Sequence, residues 1–247
     1  MPLRLVQVNI KAADEVVLGR FWADVLGWDT ESEGPGVVNL VPGDIVWPDP
    51  AAVCVDLVRV PDPETVKYRA YLELATASSG QKAEMLTRLR SLGATAHDAA
   101  PNAFQGTLLA DPEGNVFSVL APEASPQGTG PIAAVVVPCA DPRAMARFWD
   151  AALDWTLHEV SDDHARLRSA KGVGPYLEFR RTAPAAEPVW TRIHLDVMPY
   201  AGDDQRLEVD RLHALGAVDV DLGQGDDASW KVLADPEGNE FCVLRPR

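Results

Sequence analysis

The sequence predicts an α+β protein built as two tandem copies of one pattern, and three pairs of matching segments predict it. Ala110–Leu120 (ADPEGNVFSVL) and Ala234–Leu244 (ADPEGNEFCVL) differ only at Val116/Glu240 and Ser118/Cys242. Asp14–Trp28 ends in FWADVLGW and Asp141–Trp155 ends in FWDAALDW. Between them, in the same order, Ser91-Leu92-Gly93-Ala94 answers Ala214-Leu215-Gly216-Ala217. The seam is Ala121–Pro131 (APEASPQGTGP), where Pro, Gly and Ser remove any periodicity. The expected domains are therefore 1–120 and 132–247, joined by a linker over 121–131.

Within each copy, period and caps place the elements. Val6, Val8 and Ile10 alternate with Gln7 and Asn9, as in a strand with one face on a core. Asp14 offers an N-cap, Val17, Leu18, Phe21, Trp22, Val25 and Leu26 follow helical spacing, and Gly27 stops the helix. In the second copy Asp141-Pro142 opens the equivalent helix, with Met145, Phe148, Trp149, Ala152 and Leu153 on its apolar stripe. Asp154 replaces the stop glycine and is expected to take the left-handed conformation. Short strands are expected over 37–40 and 53–60 in the first copy, and over 165–168 and 176–180 in the second. The alternating runs 70–75 and 192–197 then begin a second strand and helix in each copy, and those helices end at Gly93 and Gly216. Each DPEGN segment reads as a tight turn, with Gly114 or Gly238 at positive φ, launching a last strand. Each copy is thus two strand–helix–strands units in series.

Composition limits the function. With 47% hydrophobic and 24% charged residues, a 247-residue chain can bury real cores, and disorder or a coiled coil is excluded. The 22 Lys and Arg against 37 Asp and Glu, net −15, repel phosphate backbones and anionic headgroups, so neither nucleic acid nor membrane is an expected partner. The longest apolar run, 132–137, is far short of a membrane span, and no basic-then-apolar leader opens the sequence. Three cysteines without a C-x-x-C pair do not make a disulfide framework. A cytoplasmic protein, monomer or homodimer, is expected, with a small molecule as its partner. No G-x-S-x-G, P-loop, G-x-G-x-x-G or H-E-x-x-H motif supports hydrolase, kinase or dehydrogenase chemistry.

Strand alternation singles out side chains. His194 shares a face with Asp196, opposite Ile193, Leu195 and Val197, and Tyr71 shares one with Glu73, opposite Leu72 and Leu74. A His beside an Asp on one strand face, with Glu178 as a further carboxylate, fits a general base tuned by its neighbours, and equally a structural tie. His97, His158, His164 and His213 read as surface residues, and Arg180 and Arg181 as facing water. Trp22, Trp28, Trp149 and Trp155 recur in both copies and read as packing. Trp47, Trp190 and Trp230 are not duplicated and are candidates to border a ligand.

The combination FW-x-x-x-L-x-W after a first strand, H-L-D-V in mid-copy and L-A-D-P-E-G-N-x-F-x-V-L at the end resembles the vicinal-oxygen-chelate superfamily, which includes glyoxalases, bleomycin-resistance proteins and extradiol dioxygenases. The resemblance covers both copies. It implies paired βαβββ modules, two per copy, whose sheets curl into an open cup that holds a small molecule, often over a divalent metal. It further implies ligands from four strands of a cup: the first strand, the strand before the linker to the next module, that module's first strand and the final strand. Taken copy by copy, these positions are Gln7, Cys54 or Asp56, Tyr71 and Ser118 in the first, and Ala134, Glu178, His194 and Cys242 in the second. The ligand set is incomplete in each. His194, Glu178 and Cys242 remain as the candidate metal ligands, with Cys242 equally readable as a small buried hydrophobe. The second copy is expected to carry the function and the first to act as scaffold.

Two functions follow as expectations. One is a lyase or isomerase-type enzyme acting on a small oxygen-rich or aromatic metabolite, with His194, Asp196 and Glu178 as catalytic residues. Its ligand contacts would be Gln7, Asn9, Trp47, Tyr71, Glu73, Trp190, Trp230 and Cys242, and a divalent metal is the cofactor the resemblance allows. The other is a binding protein that sequesters a planar or cationic drug-like molecule in a groove lined by Trp, without turnover, as the resemblance to bleomycin-resistance proteins implies.

Overall fold

The structure, a computed structural model, describes residues 2–31, 35–43, 45, 47–49, 53–98, 105–182, 190–223, 225 and 228–247. Four strand–helix–strands units follow one another. The first is β1 (Arg4–Ala12), α1 (Glu15–Leu26), β2 (Asp29–Thr30), β3 (Val37–Val41) and β4 (Cys54–Arg59). The second is β5 (Tyr71–Leu74), α2 (Ser79–Ser91), β6 (Thr95–Ala96), β7 (Thr107–Ala110) and β8 (Val116–Val119). The second copy repeats this order with β9 (Ile132–Cys139), α3 (Pro142–Ala152), β10 (Trp155–Val160), β11 (His164–Ser169) and β12 (Tyr176–Arg181). It ends with β13 (Ile193–Met198), α4 (Gln205–Leu215), β14 (Val218–Asp219), β15 (Lys231–Ala234) and β16 (Glu240–Val243).

The caps do what the residues predict. Asp14 accepts from the Val16 and Val17 amides, Asp141 accepts from Ala144, and Gly27 closes α1 at φ 67°. On α1 the expected stripe is buried except for Val17, which faces outward. Asp154 departs from expectation, because no residue other than glycine has positive φ among those described. The chain instead leaves α3 through an extended Leu153, which bridges to Leu3, and the Asp154 amide donates to the Leu3 carbonyl at 2.9 Å. A neighbouring strand thus supplies the stop.

The units combine into two eight-stranded sheets, in the orders β14-β15-β16-β13-β1-β4-β3-β2 and β10-β11-β12-β9-β5-β8-β7-β6. The join in each is antiparallel, β1 with β13 and β5 with β9. Every sheet therefore takes one unit from each copy: the first unit pairs with the fourth, and the second with the third. One face of each sheet is apolar and helix-covered, with Leu195 and Phe241 of β13 and β16 in the same core as Trp149 of α3. The opposite face carries the polar side chains.

The units of one copy are joined in a different way. Trp22 of α1 packs edge-on to Phe117 at 5.1 Å and donates its indole N–H to Asp111 of the DPEGN turn. Glu113 of that turn accepts from the Ala13 and Asp14 amides at 2.8 and 2.9 Å. The second copy repeats this, with Trp149 on Phe241 and Asp235, and Glu237 accepting from Ala140 and Asp141. The near-identity of the two segments thus has a physical cause: each DPEGN turn fastens the second unit of its copy to the first. Asp111 also accepts from the Glu113 and Asn115 amides and from Asn115 Nδ2, while Gly114 takes φ 89°. Asp111→Ala would leave these buried donors unpaired, so a loss of about 2–4 kcal/mol in urea unfolding is expected. A loss under about 0.5 kcal/mol would contradict the fastening role.

Candidate functional site

The polar face of the first sheet reads as two rows across its strands. Strand pairing aligns Cys242, Asp196, Gln7 and Cys54 in one row, and His194, Asn9, Asp56 and Asn39 in the next. Gln7, Asn9, Asp56, His194 and Asp196 are all at least nine-tenths buried, although polar, which requires partners for their atoms.

Some have them. Gln7 donates to Asp56 Oδ2 at 2.5 Å, and Asn9 donates to Asp196 Oδ2 at 3.4 Å. His194 Nε2 lies 3.0 Å from Asp196 Oδ1 and 3.5 Å from Cys242 Sγ, and the Tyr68 ring meets the imidazole edge-on at 5.0 Å. Other atoms on this face have no hydrogen-bond partner: Asn9 Oδ1, Asp56 Oδ1 and His194 Nδ1. The two oxygens carry lone pairs only, so a missing donor is indicated there.

Electrostatics follow from burial. Asp56 is pushed up to about 7, chiefly by loss of water, with the Asp196 charge adding to it. Burial raises the Cys54 thiol to about 12 and the Cys242 thiol well above its ordinary value. Tyr68 is likewise raised by burial, helped by the nearby Glu240.

Two lobes open onto this face. One, about 670 Å³, is lined by Gln7, Trp47, Cys54, Asp56 and Arg245 among others. The second, about 680 Å³, is lined by Lys11, Tyr68, His194, Trp230, Glu240 and Cys242 among others. Trp47 lines the first lobe and Trp230 the second. Trp190 lines neither lobe.

The other expected residues lie elsewhere. Tyr71, Glu73 and Glu178 are on the second sheet, because β12 pairs with β9 and β9 with β5, and neither β12 nor β5 pairs with β13. Glu178 is therefore removed from the His194 group. There it accepts from Arg180 at 2.5 Å and from His164 Nε2 at 2.8 Å, while Arg180 also meets Glu73 at 2.9 Å and the Tyr71 hydroxyl at 2.9 Å. Arg180 and His164, read from sequence as solvent-facing, are both drawn into this network, whereas Arg181 bonds exposed Asp163 at the surface. The grouping by copy is likewise corrected. The strands that meet around His194 are β1, β4, β13 and β16, so the four positions become Gln7, Cys54 or Asp56, His194 and Cys242, and neither copy carries the site alone. Asp56 and Tyr68 are the residues that reading by copy did not bring to His194.

The chain as a whole is similar to known proteins. A model of the glyoxalase-like domain matches residues 7–120 and again 134–244. The chain belongs to the glyoxalase-like family. Its fold is similar to that of glyoxalase I from Zea mays, at 16% identity and a TM-score of 0.67, covering 98% of this chain and 92% of that one. It is also similar to a putative dioxygenase from Bacillus subtilis, at 13% identity and a TM-score of 0.62, covering 99% and 85%. At these identities the likeness is one of fold. No curated protein matches in sequence. Among the described residues of this glyoxalase-like chain, no helix is long and apolar enough to cross a membrane.

The donor set on the first sheet fits a divalent cation. His194, Asp196 and Cys242 each offer one ligand atom within 4.8 Å of the others. Nitrogen, carboxylate and sulfur together suit a borderline ion such as zinc. Cys242, held as a thiol by its burial, would release its proton on binding it.

Proposed function

We propose that this glyoxalase-like protein is a lyase or isomerase-type enzyme that moves a proton at a carbon next to a carbonyl, on a small metabolite held in the cup between β1, β4, β13 and β16. The observation that supports it most is the buried His194 beside Asp196, at 3.0 Å, on the floor between two lobes. An imidazole next to a carboxylate can take up a proton and have the resulting charge compensated. Asp56, raised to about 7, is a second group able to exchange a proton near neutral pH, and Gln7 holds it in place. Tyr68 packs against the imidazole ring and limits its orientation. Burial of the row keeps water from competing for the transferred proton. When bound by His194, Asp196 and Cys242, a divalent cation supplies polarisation of the ligand carbonyl.

Solvent deuterium exchange tests this. Small 2-oxo and 2-hydroxy carbonyl compounds, incubated with the protein in D₂O, should exchange the hydrogen next to the carbonyl, and His194→Ala should slow exchange by about 10²–10⁴-fold. An unchanged rate in that variant would remove His194 from the reaction. Tight retention of such compounds without exchange would favour sequestration instead.

A further inference from the structure

The duplication places a cation of the protein's own in the second cup, and so shows what the first cup lacks. Strand pairing matches the cups position by position. Asn9 pairs with Asp56 as Val136 pairs with Glu178, and Gln7 with Asp196 as Ala134 with Glu73. On this mapping Asp56 answers Glu178, Asp196 answers Glu73, His194 answers Tyr71, and Val58 answers Arg180. In the second cup, the Arg180 guanidinium donates to all three of its neighbours: Glu73, Glu178 and the Tyr71 hydroxyl. In the first cup the arginine position is Val58, Asp56 Oδ1 and His194 Nδ1 are buried without a partner, and Asp196 Oδ1 faces the His194 imidazole at 3.0 Å in place of a guanidinium. Asn9 Oδ1 is unpartnered beside them. Two buried carboxylates with no arginine between them, where the sister cup encloses a guanidinium, describe a recognition site for such a group.

We propose that the first cup binds a planar cationic nitrogen group of its ligand, an amidinium or guanidinium, between Asp56 and Asp196. This rests on the reading of that cup as the ligand site and names the class of ligand it takes. A metal on His194, Asp196 and Cys242 does not meet the same need, because Asp56 Oδ1 lies two strands away from β13 and would stay without a donor. Lys11 acts on Asp56 through its charge, yet forms no ion pair among the described residues, and lines the adjoining lobe. Glu240 and Asp62 line that lobe as well and offset its charge towards an incoming cation.

The test is binding of p-aminobenzamidine to the full chain, followed by its fluorescence, against the neutral isostere 4-aminobenzamide. The amidine should bind at least about tenfold more tightly than the amide, and Asp56→Asn or Asp196→Asn should each remove that preference. Val58→Arg, which copies the second cup, should abolish amidine binding while the melting temperature shows that the chain folds. Equimolar zinc separates the two kinds of cation: displacement of the amidine places both at Asp196, and its persistence after chelation shows that no metal holds it. Equal affinity for amidine and amide would overturn the proposal, as would unchanged amidine binding in folded Val58→Arg. Absence of deuterium exchange on every carbonyl compound would remove the enzymatic reading and leave the binding result standing.

Discussion

Arg180→Ala should destabilise the protein by about 3–5 kcal/mol at neutral pH, and the loss should shrink as the pH is lowered. Arg180 is the cation of a buried group of charges, with Glu73 and Glu178 on either side and the Tyr71 hydroxyl beside them. Burial alone would raise Glu178, but the hydrogen bond from His164 and the charge of Arg180 outweigh it and hold this carboxyl below its ordinary value. A carboxyl with a lowered folded value contributes stability above its unfolded value, and that contribution fades on acidification. Glu73 is pushed up by its burial even with Arg180 present. Without the guanidinium, burial acts on Glu73 with no cation against it and on Glu178 with His164 alone against it, so both carboxyls are pushed up and the variant loses stability relative to the parent as the pH rises. Urea unfolding of the two proteins from pH 4 to pH 8 should give stabilities that converge towards the acid end. A difference of equal size at every pH would show that Arg180 acts through packing and not through charge.

The same network shows what could be read from the residues and what could not. The copies, the helix stripes and the face shared by His194 and Asp196 were legible, because each depends on a local period: Leu18, Trp22 and Val25 at helical spacing, or Ile193 and Leu195 alternating with the two polar residues. Which unit pairs with which was not legible. A strand such as β13 has the same alternation whether its neighbour is β9 of its own copy or β1 of the other, and the backbone edge satisfies either. Sharing a copy therefore points Glu178 to His194, and Asp56 to Tyr71 and Ser118. One signal was present. Asp56 and Glu178 are acidic residues at matching places in Cys54–Arg59 and Tyr176–Arg181, flanked by apolar Val55 and Leu57 or Leu177 and Phe179, and in each case a carboxylate on that face needs a partner from across the sheet. Arg180 at a strand end read as exposed because long cations usually reach water there, whereas here two carboxylates hold it over the face. Asp154 failed for a related reason, since a strand from the other copy, and not its own φ, ends the helix.

Asp56→Asn should stabilise the protein at pH 8 by about 1–4 kcal/mol, have little effect near pH 4, and lose ligand binding. The carboxyl is raised from 3.8 to about 7, mainly by burial. With a raised folded value the fold holds the proton more tightly than the unfolded chain does. The stability this gives is complete below about pH 4 and is lost as the pH climbs through 7. At pH 8 the folded protein carries a buried charge whose loss of water outweighs the hydrogen bonds from Gln7 and Asn39 and the charge of Lys11. An asparagine keeps an oxygen for the Gln7 amide and removes that charge, so its stability should stay flat from pH 5 to pH 8 where the parent declines. A pH-independent difference, or a less stable variant at pH 8, would show that Asp56 is not a buried acid of this kind. The cost explains why the two cups differ. In the second, Arg180 compensates both carboxylates from within, and the result is a structural charge network with no need of a ligand. In the first, Val58 leaves Asp56 and Asp196 without a guanidinium between them, and that deficit is what a cation from outside can relieve, so stability is given up at the place where the chain can bind.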